Sequence, residues 1–341
     1  MDIGTTLIAG LLVGTSLVQT STPSASTQRF RYAEMHMGVP FRISVYASDD
    51  VVANKAVAEA YKRIAELNKV FSDYDKDSEI ARLRQQPAGR PIPISADLEG
   101  LLIRSQRISE QTDGAFDVTV GPLVRLWRRA RRRKQMPEKE LLAKALKSSG
   151  FQRFQLKKDR SVVMESEGMR LDFGAIAKGY ACDEALRILR SHGITSALVD
   201  GGGDIAVSEP PPGKLGWRVQ IEPDATDKTS RSLLLKNQAV ATSGDRYRFV
   251  EIDGKRYSHI VDPRTGVGLT SRLTVTVIAK NAADADAYAS AVSVLGTAEG
   301  VKFVESKVGV ECQVLDYSKK QRGSKASTGF RFAKPAAAAG P

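Results

Sequence analysis

The stretch Leu171–Asp204, LDFGAIAKGYACDEALRILRSHGITSALVDGGGD, decides how the chain is read. It reads as a short strand, a Gly/Ala turn, an amphipathic helix over about 178–191 and a second strand ending in Gly201, Gly202, Gly203 and Asp204. Ala181, Ala185, Leu186, Ile188 and Leu189 fall on one helix face, the spacing that a buried apolar stripe requires. Packing does not account for the two ends of this unit. Asp172 closes the first strand, and Gly174, Ala175, Ala177, Gly179 and Ala181 keep the next turn narrow enough for another molecule to reach the backbone. Free amides at the helix start and the charge of Lys178 suit a phosphate. Glycines that merely turn the chain account for the same residues without a ligand, and neither a Walker pattern nor GxGxxG is present.

Outward from this unit, the 341 residues are 42% hydrophobic and 26% charged, a globular composition long enough for one large domain or two intertwined lobes. Residues 6–18, TLIAGLLVGTSLV, have the length of a signal-peptide core and are short for a membrane span, and small polar residues follow them. Asp2 stands where a leader would carry a cation. The expected organisation is an export leader over 1–28, a globular domain over 29–332 and a disordered tail over 333–341. No cysteine lies near the leader to take a lipid, and Cys182 and Cys312 are too few for a disulfide framework, with one bridge left open. The net charge of +12 is concentrated: RLWRRARRRK at 125–134 holds seven cations. That run reads either as a patch for an anionic surface or nucleic acid, or as a solvated helix face or loop insertion. With no aromatic interleaving beyond Trp127, no nucleic-acid partner is expected.

Along the chain, 30–37 and 41–46 alternate as a hairpin around Gly38 and Pro40, and 51–70 form a helix with one buried face. Ser78 caps a short helix starting at Glu79, while Tyr74 stands in its loop without apolar neighbours, either incidental or a lid for a flat ring. A helix over 96–111 ends at Asp113-Gly114. Phe116, Val118 and Val120 then read as a strand closed by Gly121-Pro122. Short strands are expected over 152–171, at 216–222 and at 232–242. A hairpin turns at Asp253-Gly254, LTVTVIAK is a strand, and helices cover 282–295 and 297–306. Strands and helices do not alternate singly, so the class is α+β, mostly antiparallel sheets with packed helices.

Three places carry chemistry. His259, in SHIVDPRTG, follows a hairpin strand with Ser258 and Asp262 nearby and could act as a general base, whereas His36 and His192 read as structural. Asp286 and Ser290 lie one helical turn apart, so a carboxylate and a hydroxyl share one face, hard oxygen ligands that suit Mg²⁺ on a phosphate. Asp284 reads as the cap of that helix. Thr242, Ser243 and Gly244 gather small hydroxyl residues at a strand end.

In order and spacing, MGVPF, DGAFDVTVGPLVRLW, LDFGAIAKGYACDEAL, ALVDGGGDI, AVATSGDRYR, YSHIVDPRTG and ADADAYASAVSVLG resemble the ApbE family of FAD:protein FMN transferases, over about residues 30–310. The resemblance implies an ApbE-like, T-fold-related architecture and Mg²⁺-dependent cleavage of FAD. FMN would pass through its phosphate to a Thr or Ser of an acceptor protein, an exported or membrane redox protein, and AMP would leave. It implies that Met37, Tyr74, Ala115, Phe116, Asp117, Asp172, Lys178 and Ile260 line the FAD site. It further implies that the Ala175 carbonyl, Asp286 and Ser290 bind metal, and that His259 is catalytic. Serine at 290 stands where the family more often has threonine and keeps the oxygen. The arginine run replaces a shorter, glycine-containing segment, and the lipoprotein cysteine is absent. The implied location is the periplasm or the outer face of the cytoplasmic membrane. An FAD pyrophosphatase and a non-catalytic exported FAD-binding protein are the alternatives.

Overall fold

Met37 and Gly38 both have positive φ, 49° and 76°, which is the geometry of a two-residue hairpin turn whose twist matches its strands. They fold β1 (Gln28–His36) onto β2 (Val39–Ala47), with His36 opposite Val39. The computed structural model describes residues 27–221, 231–244, 248–318 and 323–334. The expected leader lies almost wholly, and the tail mostly, outside the described residues. Among these, no helix is long and apolar enough to cross a membrane.

The hairpin opens an eight-stranded sheet in the order β1-β2-β6-β7-β10-β13-β14-β15, with β6 (Ala197–Gly201), β7 (Ile205–Val207), β10 (Gln238–Gly244), β13 (Leu273–Ala279), β14 (Glu311–Asp316) and β15 (Gly323–Ala326). Every neighbouring pair is antiparallel. Against it pack α1 (Asp50–Phe71), α6 (Ala177–Ser191) and α7 (Ala282–Glu305), which kinks at Gly296. Ala282, Ala283, Ala285, Ala287, Ala289 and Ala291 are all buried, so α7 approaches its neighbours closely. The other elements form smaller bodies: α2 (Glu79–Leu83), β3 (Pro91–Pro93) with β4 (Phe154–Lys157) and β5 (Ser161–Met164), and α3 (Ala96–Gln111). β8 (Trp217–Ile221) pairs with β9 (Arg231–Leu235). α4 (Gly121–Arg133) and α5 (Lys139–Lys147) cover the hairpin of β11 (Phe249–Ile252) and β12 (Lys255–Ser258), which turns at Asp253-Gly254 as expected.

The α+β class, the hairpins and the helices at 50–71, 96–111 and 177–191 agree with the sequence. Four local expectations do not. Residues 115–120 form a turn rather than a strand, because the Asp117 carboxylate accepts from both the amide and the hydroxyl of Thr119 at 2.7 Å and bends the chain. Gly121-Pro122 then opens α4 instead of closing a strand, proline being suited to a first helical turn. Leu171 and Asp172 are not strand: the segment makes one bridge, Val120 to Arg170. The 232–242 segment divides at Asn237, whose φ of 49° ends β9 and starts β10. Both cysteines are buried and free.

Candidate active site

Asp172 sets the start of α6. Its amide donates to the Val118 carbonyl at 2.7 Å, and its Oδ1 accepts from the Gly174 amide at 2.9 Å. The chain then turns through Ala175, and the Ile176 and Ala177 amides donate to the Phe173 carbonyl at 3.0 and 2.9 Å. Gly179 follows one residue after Lys178, and here α6 meets α7 backbone to backbone. A Cβ on Gly179 would lie 2.2 Å from the Ala282 carbonyl oxygen. Asp183, one turn along, accepts from the Ala282 and Ala283 amides at 2.8 and 3.0 Å and ties the start of α7 to α6. Asn281, and not Asp284, is the cap of α7, accepting from the Asp284 amide at 2.9 Å. Asp284 instead pairs with Arg107 at 3.1 Å and Arg104 at 3.7 Å.

This junction places Lys178 Nζ 3.5 Å from Asp286 Oδ2 and in direct contact with Asp204 Oδ2. Asp204 is held in the β6–β7 turn, where Gly202 and Gly203 have φ of 73° and 103°. Cys182 Sγ donates to its carbonyl at 3.2 Å. Both carboxylates are buried, so two negative charges face one ammonium with little water to screen them. Burial, and then the charge of Asp204, raise the Asp286 pKa. Burial acts against the Lys178 charge, but Asp204 and Asp286 outweigh it and raise the lysine pKa. One turn beyond Asp286, Ser290 Oγ lies 3.2 Å from Ser243 Oγ at the end of β10, so the predicted carboxylate–hydroxyl face is present and turned toward the sheet. Among the described residues no group of three or more His, Cys, Asp or Glu gathers. A cation here would draw on hydroxyl and carbonyl oxygens as well as carboxylate.

The second part of the site comes from the arginine run, which the sequence left as one block. Arg128 reaches Asp73 at 2.7 Å and Asp172 at 2.9 Å, and its guanidinium lies 4.6 Å over the ring of Tyr74. Arg170 and Arg84 also contact Asp73, at 3.4 and 3.7 Å. Burial raises the Asp172 pKa, and Arg128 opposes that rise. Tyr74 remains 83% exposed, its loop anchored and its ring outside. The signal that separates Arg128 from the rest of the run is helical phase: it flanks Trp127, which α4 buries.

His259 follows β12. Its Nδ1 and its amide both approach the Arg248 carbonyl, at 3.1 and 2.9 Å, so Nδ1 carries the proton and the Nε2 lone pair meets no donor among the described residues. Burial lowers the imidazole pKa to about 4, and the charges of Arg248, Arg131 and Lys178 act in the same direction. The expected neighbours do not partner the ring. Ser258 accepts from the Ile260 amide at 3.1 Å, and Asp262 is held by Arg264, whose Nε and Nη2 both lie at 2.9 Å. Ile260 and Met37 are half-buried, Met37 at the β1–β2 turn. Ala115, Phe116 and Asp117 are buried, and Asp117 is engaged by Thr119, so that block can present backbone rather than carboxylate. No hydrogen bond among the described residues joins Met37, Ile260 or this block to the Lys178 cluster.

The sequence and the fold have relatives among known proteins. The ApbE family profile matches residues 37–314. The FAD:protein FMN transferase of Treponema pallidum (strain Nichols) is 31% identical over 318 residues, covering 88% of each chain, and that of Vibrio cholerae serotype O1 is 31% identical over 276 residues, covering 79% of this chain and 82% of that one. Among solved structures, the apo form of Pseudomonas stutzeri flavinyl transferase ApbE gives a TM-score of 0.79 at 27% identity, covering 89% of this chain and 95% of that one. The flavin transferase ApbE of Vibrio cholerae gives 0.79 at 28%, covering 89% and 98%. The chain therefore belongs to the ApbE family. It is an enzyme, and its class is transferase.

Proposed function

We propose that this chain is an FAD:protein FMN transferase. FAD is the substrate: the bond between its FMN phosphorus and the bridging oxygen of the diphosphate breaks as that phosphorus becomes esterified to a Thr or Ser hydroxyl of an acceptor protein. AMP leaves with the bridging oxygen. The observation that carries this reading is the buried Lys178–Asp204–Asp286 cluster with Ser290 one turn away, at the α6–α7 junction. The relatives that bear this name match across most of the chain.

The donor set fits Mg²⁺. Asp286, the Ser290 hydroxyl and the Ala175 carbonyl are hard oxygen donors, and the cluster holds two carboxylates against one ammonium. Bound there, Mg²⁺ would supply charge neutralisation for the phosphate oxygens. Lys178 directs an ammonium at the same oxygens and offsets the charge that builds on the leaving AMP. His259 takes the acceptor hydroxyl proton on Nε2, and its low pKa keeps that nitrogen unprotonated at neutral pH. Tyr74 offers a ring face to the flavin. Asp172, Met37, Ala115, Phe116, Asp117 and Ile260 complete the FAD site. We place the enzyme outside the cytoplasm, in the periplasm or on the outer membrane face, with residues 1–28 as leader, 29–332 as the transferase domain and an exported or membrane redox protein as acceptor.

The test is to incubate purified protein with FAD, Mg²⁺ and an acceptor domain, and to follow AMP and acceptor mass. AMP formed in step with an FMN mass gain, lost with EDTA and reduced about 100-fold or more in Asp286→Asn, is expected. AMP with free FMN alone would make the protein a pyrophosphatase. FAD bound and returned intact would make it a binding protein.

A further inference from the structure

We propose that Asp204 is a positioning residue: it holds the Lys178 ammonium in place and so leaves Asp286 open to a divalent cation. The inference rests on the transferase reading, in which Asp286 and Ser290 take Mg²⁺. Lys178 faces its two carboxylates unequally. Nζ is in direct contact with Asp204 Oδ2 but stands 3.5 Å from Asp286 Oδ2, longer than an ordinary N–H···O bond.

The two carboxylates are also carried differently. Asp204 belongs to a turn between paired strands, with Leu198 opposite Val207 and Asp200 opposite Ile205. Its carbonyl accepts from the Gly201 amide at 2.9 Å and from Cys182 Sγ at 3.2 Å, and Asp200 Oδ1 accepts from the Gly203 amide at 2.8 Å. Gly202 and Gly203 take positive φ there, a backbone that other residues rarely adopt. Cys182 lies one turn along α6 from Lys178, so the helix that presents the ammonium also fixes the backbone of its partner. Asp286 instead shares a helix face with Ser290, whose hydroxyl meets only the neutral hydroxyl of Ser243, at 3.2 Å.

Charge explains why one lysine needs both acids. With Asp286 as its sole partner, Lys178 would close the site. A dication could then reach Asp286 only by displacing the ammonium, which would stay beside it in a poorly solvated place with no counter-ion. Asp204 removes that penalty, because the ammonium keeps a fixed partner when Asp286 turns to the cation. Asp204 is itself 4% exposed and one of its oxygens is covered by Nζ, so it acts through Lys178 and Asp286 rather than on the substrate.

The experiment compares the full chain with Asp204→Asn and with Asp204→Asn/Lys178→Met. Mn²⁺ binding is read by electron paramagnetic resonance, and thermal melting of the metal-free proteins is followed beside it. Asparagine keeps the shape of Asp204 and loses its charge, so the ammonium moves onto Asp286 and Mn²⁺ affinity should fall about 10–100-fold. The double variant removes one ammonium and one carboxylate together. Its cluster has the net charge of the wild type with Asp286 open, and its affinity should return to within about threefold of the wild type. An Asp204 of purely structural importance would shift melting and leave Mn²⁺ affinity where it was. An Asp204 that ligates the metal would leave the double variant as weak as the single one. Either result overturns the proposal, and so does a wild type that binds no Mn²⁺. If Asp204→Asn does not fold, the double variant decides alone: wild-type affinity supports the proposal and a 10–100-fold loss overturns it. Failure of the transferase reading shows separately, as a wild type that binds Mn²⁺ and yields no AMP from FAD.

Discussion

Substituting Gly179→Ala tests the claim that the α6–α7 junction sets the chemistry. The added Cβ would stand 2.2 Å from the Ala282 carbonyl oxygen, 2.5 Å from its carbon and 2.8 Å from the Ala283 nitrogen, all backbone atoms that cannot rotate away. Reaching ordinary contact at 3.4 Å requires the two backbones to part by about 1.2 Å. α7 cannot retreat alone, because Asp183 holds the Ala282 and Ala283 amides. Separation therefore either breaks those bonds or moves Asp286 away from Lys178, now 3.5 Å apart. Overpacking of this kind costs about 1–3 kcal/mol, and a displacement near 1 Å in a reacting site costs about 100-fold in rate. The assay is thermal unfolding together with AMP release from FAD. Gly100→Ala in α3 is the control: its Cβ would meet only Tyr180 Oη at 4.0 Å, and it should gain about 0.5–1 kcal/mol from helix propensity with an unchanged rate. A Gly179→Ala protein that melts with wild type and releases AMP at the wild-type rate would refute the reasoning. One that melts early yet keeps its rate would detach the junction from the chemistry.

Arg128→Ala removes the link between Asp73 and Asp172 and the cation over Tyr74. The KM for FAD should rise about tenfold with a smaller change in kcat, and Arg128→Lys should recover part of it, because one ammonium cannot span both carboxylates. FAD titration in steady state reads this, and an unchanged KM in Arg128→Ala removes Arg128 from flavin binding. For His259, the folded pKa of about 4 lies below the ordinary 6.5. The unfolded chain therefore binds the proton more readily, so the stability held above pH 6.5 is lost as pH falls through 4. The rate should fall over the acid side for the same reason, as Nε2 becomes protonated. His259→Gln should be slow at every pH, flatten the rate profile and remove its share of acid destabilisation; an acid limb of unchanged shape in the variant would assign it to another group.

The helices were legible where apolar phase and a cap agreed, as with Ser78, whose hydroxyl accepts from the Ala81 amide. Misreadings arose where a side chain competed with the backbone. Phe116, Val118 and Val120 alternate as a strand would, yet Asp117 between them captures Thr119 and turns the chain. Asn281 and Asp284 are both good caps, and the arginines of α3 decide between them by taking Asp284. Asp262 looked available to His259 until Arg264, two residues on, is seen to occupy both its oxygens.

The site itself was legible in its parts and not in its assembly. The Gly/Ala turn before α6 invited the idea of a ligand pressed against bare backbone. At Gly179 the bare backbone is filled by another helix of the same chain. That contact brings Asp286 to Lys178, more than a hundred residues earlier, and the β6–β7 turn supplies Asp204 as the lysine's second partner. No local pattern marks Asp204, because its importance comes from burial opposite a lysine, a property of the folded chain alone. Arg128 shows the same from the opposite direction: a run of cations looks uniform until helical phase sets Trp127 inward, pairs Arg128 with two carboxylates and leaves Arg125, Arg129 and Arg132 facing solvent. One run thus holds both an arginine paired inside the fold and arginines exposed on its surface, and substitutions along it should separate by helical phase rather than by position in sequence.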